Sequence, residues 1–306
     1  MTTFAPLSLS GRTAVVTGAT SGIGVEIARG LAARGAQTVV VGRGVDRTAQ
    51  VAQEIARSTG NPAVEPVSVT DLALMSDVRA LAQTLRERYP QLSILVNNAG
   101  AYFHQREVTS EGHERTFALN VLAPFLLTSL LTDRLRENPP ARVVNVSSAA
   151  HRGYRVDFSD LESASRYSGF RVYGRSKLEI LLLTREFARR LAGSGISVNA
   201  VHPGFVASGF GQNNAGATKR VFRFVEALFA ISVQRGAETP LFVATDPSTT
   251  PISGEYFAKC RVAPASAPSQ SLADARRLYE VCSEITGVDG TALSPPLNTP
   301  TSGPAR

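Results

Sequence analysis

Short runs rich in β-branched residues alternate along this chain with longer stretches in which apolar residues recur every three or four positions. The short runs predict buried strands, and the longer stretches predict helices that each bury one face. The predicted strands are residues 12–17, 37–41, 64–69, 92–96, 143–147, 196–201 and 254–258, and the main predicted helices are residues 25–32, 46–57, 111–136, 173–191 and 272–284. Such alternation is typical of an α/β protein with a single doubly wound parallel sheet and helices on both of its faces.

A glycine-rich segment joins the first predicted strand to the first predicted helix. It reads Gly18-Ala-Thr-Ser-Gly22-Ile-Gly24, and residues 18–24 are called the glycine turn below. A strand that turns through glycines into a helix directs backbone N–H groups at an anion, and the glycines let a phosphate come close. The spacing differs from the usual G-x-G-x-x-G, and glycines also close ordinary loops. The position between strand and helix nevertheless favours a dinucleotide site.

The second predicted strand is followed by Gly42 and Arg43, and the first carboxylate after it is Asp46. In NAD-binding folds an acidic residue near this point holds the ribose 2′-OH, whereas an Arg accommodates the 2′-phosphate of NADP. We therefore expect NADP(H) to be favoured over NAD(H). The alternative is an Arg side chain in solvent.

Tyr173 and Lys177 stand four residues apart at the head of a helical apolar pattern. Residues at this spacing share a helix face, with Cβ atoms about 5–6 Å apart. A free phenol has a pKa of about 10, and a nearby ammonium favours its deprotonated form. The pair is therefore a candidate general acid and base, although Tyr and Lys at this spacing also occur by chance.

Taken in order, these motifs resemble the short-chain dehydrogenase/reductase superfamily. The glycine turn resembles its cofactor turn, and Tyr173-x-x-x-Lys177 resembles its active-site pair. Further stretches resemble the retinol-dehydrogenase-like branch, so that the resemblance covers about residues 10–286; they are residues 118–127, 143–148, 202–204, 253–257 and 277–286. The resemblance implies a Rossmann-type NAD(P)-dependent oxidoreductase that interconverts a carbonyl and an alcohol.

Four residues are implied to carry catalysis. Ser148 and Tyr173 would hold the carbonyl oxygen, Tyr173 would exchange a proton with it, and Lys177 would lower the pKa of Tyr173 and hold the nicotinamide ribose. Asn120 would keep a water in a proton relay, since Pro124 can free its backbone carbonyl. The alternative for Asn120 is a satisfied core residue at a helix kink.

The cofactor is implied to contact residues from several strand ends. They are Gly18, Ser21, Gly22, Ile23, Gly24, Asp71, Leu72, Asn98, Ala99, Gly100, Tyr173, Lys177, Pro203, Val206 and Ser208, with Arg43 added from the strand argument. Asp71 is also suited to be the N-cap of the helix that follows it. Ser208 stands where the family commonly has Thr and keeps the hydroxyl. His151 is interpreted as a loop residue, because Tyr173 and Lys177 leave no place for another base.

Two segments are expected to form the substrate side. Residues 151–170, called the insert below, lengthen the chain between Ser148 and Tyr173 and resemble the retinol-dehydrogenase-like branch. The Phe-rich, glycine-flanked residues 205–235 suit a lid over a lipophilic carbonyl or alcohol, although about half of these Phe residues would instead pack in the core. Residues 1–286 are predicted to be one domain, and the Pro-, Thr- and Ser-rich residues 287–306 a largely disordered tail.

Composition and charge argue against several classes of binding partner. The formal net charge is +7, but the Arg residues are scattered among acidic residues and Trp is absent, which argues against nucleic-acid binding. No uninterrupted apolar run approaches the roughly 20 residues that span a bilayer. Cys260 and Cys282 are too few for a disulfide framework or a metal site, and a cytoplasmic location is expected.

Two other functions and one assembly stay open at this point. The chain could be a dinucleotide-binding scaffold or sensor without catalysis, although such chains usually lose the Tyr or the Lys. It could also be a peripheral membrane enzyme acting on a retinoid or sterol, although no strongly amphipathic anchor supports this. A homodimer is left open.

Overall fold

A single eight-stranded sheet forms the centre of the protein in this computed structural model, which describes residues 8–204 and 232–289. Its strands are β1 (Thr13–Thr17), β2 (Gln37–Gly42), β3 (Val64–Ser68), β4 (Leu92–Asn97), β5 (Ala141–Val146), β6 (Ile196–His202), β7 (Tyr256–Ala258) and β8 (Arg261–Val262). They are ordered β3-β2-β1-β4-β5-β6-β7-β8, and all neighbouring pairs are parallel except β7 and β8. The predicted doubly wound α/β fold is confirmed.

Helices lie between the strands. They are α1 (Gly22–Ala32), α2 (Val45–Thr59), α3 (Met75–Arg88), α4 (Arg115–Phe117), α5 (Ala123–Arg136), α6 (Gly169–Arg190), α7 (Val233–Thr245) and α8 (Leu272–Thr286), and a π-helical stretch, Ala118–Leu122, joins α4 to α5. The sequence pattern predicted a helix over 111–136, and the structure begins it four residues later. Pro124 lies at the start of α5, where a missing N–H is tolerated.

Two hydrophobic cores lie on opposite faces of the sheet, because successive side chains of a strand point to opposite faces. In β1, Val15 enters one core and Val16 the other. The core on the Val16 side is closed by apolar residues of α1, α2 and α7, and the core on the Val15 side by those of α3, α5, α6 and α8. This two-sided burial explains why strands inside the sheet, such as β1 and β2, read as nearly continuous apolar runs.

The C-terminal edge of the sheet differs from the sequence prediction. Residues 254–258 were predicted to be the last strand, but β7 begins at Tyr256 and turns back into β8. The turn residues Lys259 and Cys260 have φ values of 52° and 55°, in the left-handed region that favours glycine. A strand of two residues without alternation gives no sequence signal, which is why β8 was missed.

One helical stretch among the described residues, Arg115–Arg136, is long and apolar enough to cross a membrane by length and composition alone. In the fold, 78% of its most apolar window is buried. Asn120, Pro124 and Thr128 interrupt its apolar residues, so it is not an uninterrupted apolar run in the sequence. Its burial identifies it as a core helix that packs on β4 and β5 and against its neighbours α3 and α6.

Several sequence predictions fall outside the described residues. They concern Val206, Ser208, residues 205–231 of the predicted lid and residues 290–306 of the predicted tail. The last three residues of the predicted lid, 233–235, form the first turn of α7, and the Ser232 side chain accepts a hydrogen bond from the Arg235 N–H. Helix α8 ends at Thr286, and Gly287 follows it in the left-handed conformation.

Candidate active site

The candidate site lies where the chain leaves the carboxyl ends of β1, β4 and β5. Strand β1 connects to β2 on one side of the sheet, whereas β4 connects to β5 on the other, so the strand order reverses between β1 and β4. Open α/β sheets bind ligands in the crevice at such a point. Gly18, Asn98 and Ser148 follow these three strand ends, and Pro203 follows β6 at the same edge.

The glycine turn is closed so tightly that its glycines are sterically required. Gly18 and Gly22 have φ values of 64° and 56°. A Cβ on Gly24 would stand 2.3 Å from the Gly18 carbonyl oxygen and 2.6 Å from Nδ2 of Asn98. The turn therefore packs backbone against backbone and brings the first turn of α1 to the sheet edge.

The start of α1 can accept an anion. Ser21 is its N-cap residue but makes no side-chain capping hydrogen bond, and the first turn carries no acidic residue. Unpaired N–H groups at a helix start, together with the helix dipole, favour a phosphate. The residues of this turn thus fit the pyrophosphate of a dinucleotide.

Asn98 holds the glycine turn in place. Its side-chain amide donates to the carbonyl oxygens of Thr17 (2.9 Å) and Gly18 (3.1 Å). The Thr17 hydroxyl in turn accepts hydrogen bonds from the N–H groups of Asn98 and Ala99, both at 3.1 Å. Sequence reasoning missed Thr17 as a site residue. A hydroxyl at the end of an otherwise aliphatic strand was the available signal.

Gly42 was also missed. A Cβ on it would stand 2.1 Å from Cγ2 of Thr20 and 2.9 Å from the Thr48 hydroxyl, so the end of β2 packs directly against the glycine turn. Arg43 follows with an exposed side chain. Within residues 8–204 and 232–289, no ion pair or side-chain hydrogen bond involves it. Its guanidinium is therefore available at the place where the sequence predicted a phosphate contact.

The interpretation of Asp71 as a helix N-cap is wrong. A turn follows Asp71, and α3 begins at Met75, where the N–H groups of Met75 and Ser76 donate to the Glu111 carboxylate at 2.5 and 3.0 Å. Asp71 instead accepts from the Ala73 N–H (3.0 Å) and from Arg115 (2.7 Å). Leu72 beside it is buried.

Helix α6 places Tyr173 and Lys177 on one face, as their spacing predicted. The Lys177 ammonium lies 5.5 Å from the centroid of the Tyr173 ring and donates to the Val146 carbonyl oxygen at 3.0 Å. The Ser148 hydroxyl hydrogen-bonds the Tyr173 phenol and accepts from the Ala150 N–H at 3.2 Å. Three of the four predicted catalytic residues thus meet at the ends of β5 and its neighbours.

Asn120 joins this group through Gly100. A Cβ on Gly100 would lie 3.2 Å from Oδ1 of Asn120 and 3.3 Å from Nζ of Lys177, so a side chain there would press against both polar groups. The Asn120 amide is buried and donates to the Ala101 carbonyl oxygen and the Ser176 hydroxyl, both at 3.0 Å, while its oxygen accepts from the Ala101 N–H at 2.9 Å. Its side chain is therefore satisfied, and it lies in the π-helical stretch.

The sequence predicted that Lys177 lowers the pKa of Tyr173, and this prediction is wrong for the protein without a bound cofactor. Burial is the largest cause and raises the pKa of the phenol well above its usual range, and the hydrogen bond with Ser148 only partly offsets it. Burial also lowers the pKa of Lys177 to about 8, because the interior disfavours the ammonium. A spacing rule shows that two groups can meet, but it carries no information about how much water they lose.

This burial makes stability depend on pH. The pKa of Lys177 is lower in the folded protein than its ordinary 10.5, so between these two values the unfolded chain binds more protons and stability rises with pH. Lys177→Met removes this gain, which is at most about 3 kcal/mol. Urea unfolding from about pH 7.5 to about pH 9.5 should give a steeper rise for the wild type than for Lys177→Met.

The matched control is Lys259→Met, because Lys259 is exposed. Its stability curve should run parallel to that of the wild type. Parallel curves for the wild type and Lys177→Met would contradict the burial of this ammonium.

His151 is buried within a short 3₁₀ turn, whereas it was expected to be an ordinary loop residue. Its Nδ1 lies 2.7 Å from the Ser148 carbonyl oxygen, and its Nε2 accepts from the Ser266 N–H at 3.1 Å. Both ring nitrogens are engaged, and burial lowers its pKa. His151 therefore positions the Ser148 backbone as a neutral imidazole.

Aromatic rings extend from Tyr173 to the surface. The Tyr102 ring meets the Tyr173 ring edge-on at 6.4 Å between centroids and lies 5.0 Å from the Phe170 ring. Phe170 is 54% exposed although it is a large apolar side chain. The end of the insert thus presents an apolar surface beside the phenol.

Comparison with known proteins extends these observations. A family model described as short chain dehydrogenase matches residues 12–218, which include the glycine turn and the Tyr173–Lys177 pair. Retinol dehydrogenase 12 of Mus musculus is 39% identical over 282 residues, which cover 92% of this chain and 88% of that protein.

Solved structures are similar as well. The crystal structure of an uncharacterized protein from Mycobacterium paratuberculosis matches with a TM-score of 0.74 and 29% identity, covering 92% of this chain and 96% of that one. A short chain dehydrogenase from Burkholderia cenocepacia J2315, in complex with NADP, matches with a TM-score of 0.64 and 26% identity over 82% of this chain and 96% of that one.

Proposed function

Since the chain belongs to the short-chain dehydrogenase/reductase family and is an NAD(P)-dependent oxidoreductase acting on CH–OH groups, we propose that it interconverts a carbonyl and an alcohol on a lipophilic small molecule. In this proposal NADP(H) is the cofactor and Tyr173 is the general acid and base. The observation that carries the proposal is the meeting of Ser148, Tyr173 and Lys177 beside Gly100, at the sheet edge that also holds the glycine turn.

In the direction of carbonyl reduction, Tyr173 acts as the acid. Its raised pKa keeps the phenol protonated across the neutral range, so it can hydrogen-bond a carbonyl oxygen and give it a proton. The Ser148 hydroxyl, already bonded to the phenol, is placed to hold the same oxygen. When bound, NADPH supplies the hydride for the carbonyl carbon.

Lys177 supports both directions of proton movement. With a pKa of about 8, its side chain can be an ammonium or an amine close to neutral pH. As an ammonium it helps a phenolate to form during alcohol oxidation. The backbone carbonyl of Asn120, to which Pro124 can donate no hydrogen bond, would hold the water that connects the amine to solvent. We assign Lys177 the further role of holding the nicotinamide ribose.

NADP(H) is proposed over NAD(H) because of the end of β2. Arg43 is exposed there, and Gly42 and Gly44 on either side of it carry no competing carboxylate. The Burkholderia relative with bound NADP supports this preference. A guanidinium gives a phosphate two parallel charge-assisted hydrogen bonds.

Arg43→Asp is expected to reverse this preference. The carboxylate repels a 2′-phosphate and accepts from a ribose 2′-OH, so the ratio of kcat/KM for NADPH to that for NADH should fall about 100-fold. Initial rates with each cofactor and one carbonyl measure it. The control is Arg47→Asp, an exposed Arg in the first turn of α2, which should leave the ratio within about threefold of the wild type. An unchanged ratio in Arg43→Asp would count against the assignment.

A lipophilic substrate is proposed from the exposed Phe170 ring, which the buried Tyr102 ring connects to the Tyr173 ring. The retinol dehydrogenase relatives support it. The test is a panel of aldehydes and ketones of increasing apolar size, including retinaldehyde, followed by the loss of NADPH absorbance. Higher kcat/KM for the larger apolar members is the expected result. NADPH binding without turnover of any member would favour the scaffold or sensor instead.

A further inference from the structure

Arg175 is an interior position of the Tyr-x-x-x-Lys segment, where the sequence motif leaves the residue unspecified. Two residues after Tyr173, it lies on the opposite side of α6 from the catalytic pair. Its side chain is 8% exposed and is directed into the fold. A buried guanidinium is costly unless its donors find acceptors, so its partners indicate what it does.

Three of those partners belong to the insert. Arg175 donates through Nη1 to the carbonyl oxygen of Asp160 at 2.8 Å and through Nη2 to the carbonyl oxygen of Leu161 and to the Ser163 hydroxyl, the last at 3.0 Å. Ser163 has a φ of 48°, so this part of the insert adopts a backbone that a non-glycine residue rarely takes without support.

Glu179 supplies the balancing charge one helical turn later. Its Oε1 lies 3.2 Å from Nε of Arg175, and its side chain is 1% exposed. Burial raises the pKa of Glu179 to about 7, Arg175 lowers it, and the nearby carboxylates of Glu114 and Glu162 raise it. The guanidinium is therefore the group that favours the ionised form of this buried carboxylate.

The other side of the insert is tied to the helix that carries Asn120. Glu162 accepts hydrogen bonds from the Glu114 N–H at 2.5 Å and contacts Nδ1 of His113 at 3.0 Å. Glu114 in turn caps α4 by accepting from the Thr116 and Phe117 N–H groups, both at 2.8 Å. Residues 160–163 are thus clamped between the Tyr173 helix and the start of the Asn120 helix.

The insert also touches the reactive end of α6 directly. A Cβ on Gly174 would stand 2.1 Å from the Tyr154 ring, so the insert packs directly against the helix backbone there. The Phe170 ring, in the first turn of α6, leads through Tyr102 to Tyr173. Because the insert runs directly into this turn, release of residues 160–163 would let the start of α6 and its Phe170 ring move, and so change the surface beside the phenol.

We propose that Arg175 is a positioning residue that fixes the insert to the catalytic helix, so that the apolar substrate surface keeps its place relative to Tyr173. Glu179 is its structural counter-ion. The inference rests on the proposed function in one respect, namely that the insert borders the substrate. Arg175 therefore affects how well large substrates bind. It does not affect proton transfer by Tyr173, which depends on the residues around the phenol.

The test uses the full chain with Arg175→Met and Glu179→Gln combined, because the double change leaves no unpaired buried charge. Amide hydrogen exchange of residues 157–165 should become at least about tenfold faster, with the strands unchanged. The KM for a large apolar aldehyde, divided by that for a small one, should rise about tenfold, while kcat for each stays within about threefold.

The same helix offers a matched control in Arg190→Met combined with Glu186→Gln. This pair has the same spacing and a fully buried carboxylate but lies at the far end of α6. It should change neither the exchange of the insert nor the KM ratio. Unchanged exchange in the Arg175 variant, or faster exchange without a change in the KM ratio, would overturn the proposal.

The exchange measurement needs no turnover. If the wild-type protein reduced no carbonyl, the proposed function would fail, and exchange of residues 157–165 would still decide whether Arg175 anchors the insert.

Discussion

Tyr173→Phe is expected to lower kcat for carbonyl reduction by about 10²–10⁴-fold, the usual contribution of a positioned general acid. The variant loses the hydroxyl that bonds Ser148 and keeps the ring that packs against Tyr102. The affinity for NADPH should therefore stay within about threefold of the wild type. Steady-state kinetics with one aldehyde and a fluorescence titration with NADPH measure the two effects separately.

The matched control is Tyr89→Phe, which removes another buried phenolic hydroxyl. That hydroxyl donates to the Glu65 carboxylate at 3.0 Å. Glu65 lies in β3, which is the edge strand of the sheet. The control should lose some stability and keep its kcat. A Tyr173→Phe enzyme with a kcat within tenfold of the wild type would rule out Tyr173 as the essential proton donor.

The sequence predicted those parts of the site that local spacing determines. Tyr173 and Lys177 meet because residues four apart share a helix face, and the glycine turn forms because its glycines alone fit between a strand and the next helix. The sheet followed from the alternation of apolar runs with helical patterns. Each of these inferences needs only a few consecutive residues.

The parts that could not be predicted depend on residues distant in the chain. The pKa of Tyr173 is raised rather than lowered because burial of the phenol by several elements outweighs its hydrogen bond with Ser148. Asp71 caps no helix because Arg115, 44 residues later, takes its carboxylate and Glu111 caps α3 instead. Pairings of this kind leave no periodic signal in the sequence.

Arg175 shows the same limit within a motif. Arg175 faces away from the reaction, so the motif says nothing about it. Its partners come from the insert, whose backbone carbonyls attract a guanidinium only after the loop has folded onto α6. A motif reports the residues that share a chemistry, whereas the residues that place the motif are particular to each chain.

Gly24→Ala is expected to raise the Kd for NADPH at least about 100-fold, since a displacement of about 1 Å in a binding cradle can cost that much. The new methyl would stand 2.3 Å from the Gly18 carbonyl oxygen, and that oxygen is fixed by the Asn98 amide. Backbone cannot rotate away as a side chain can, so the glycine turn itself must open. Fluorescence titration of NADPH and a thermal melt measure the loss of binding and any loss of stability.

Gly30→Ala separates this effect from helix propensity, because both glycines lie in α1 and both changes favour the helix by about 1 kcal/mol. The methyl on Gly30 would meet the end of the Leu241 side chain, which can move, and no part of the glycine turn. Its NADPH affinity should therefore match that of the wild type. Equal affinities in Gly24→Ala and Gly30→Ala would show that the turn has room to spare and that its glycines are not what admits the cofactor.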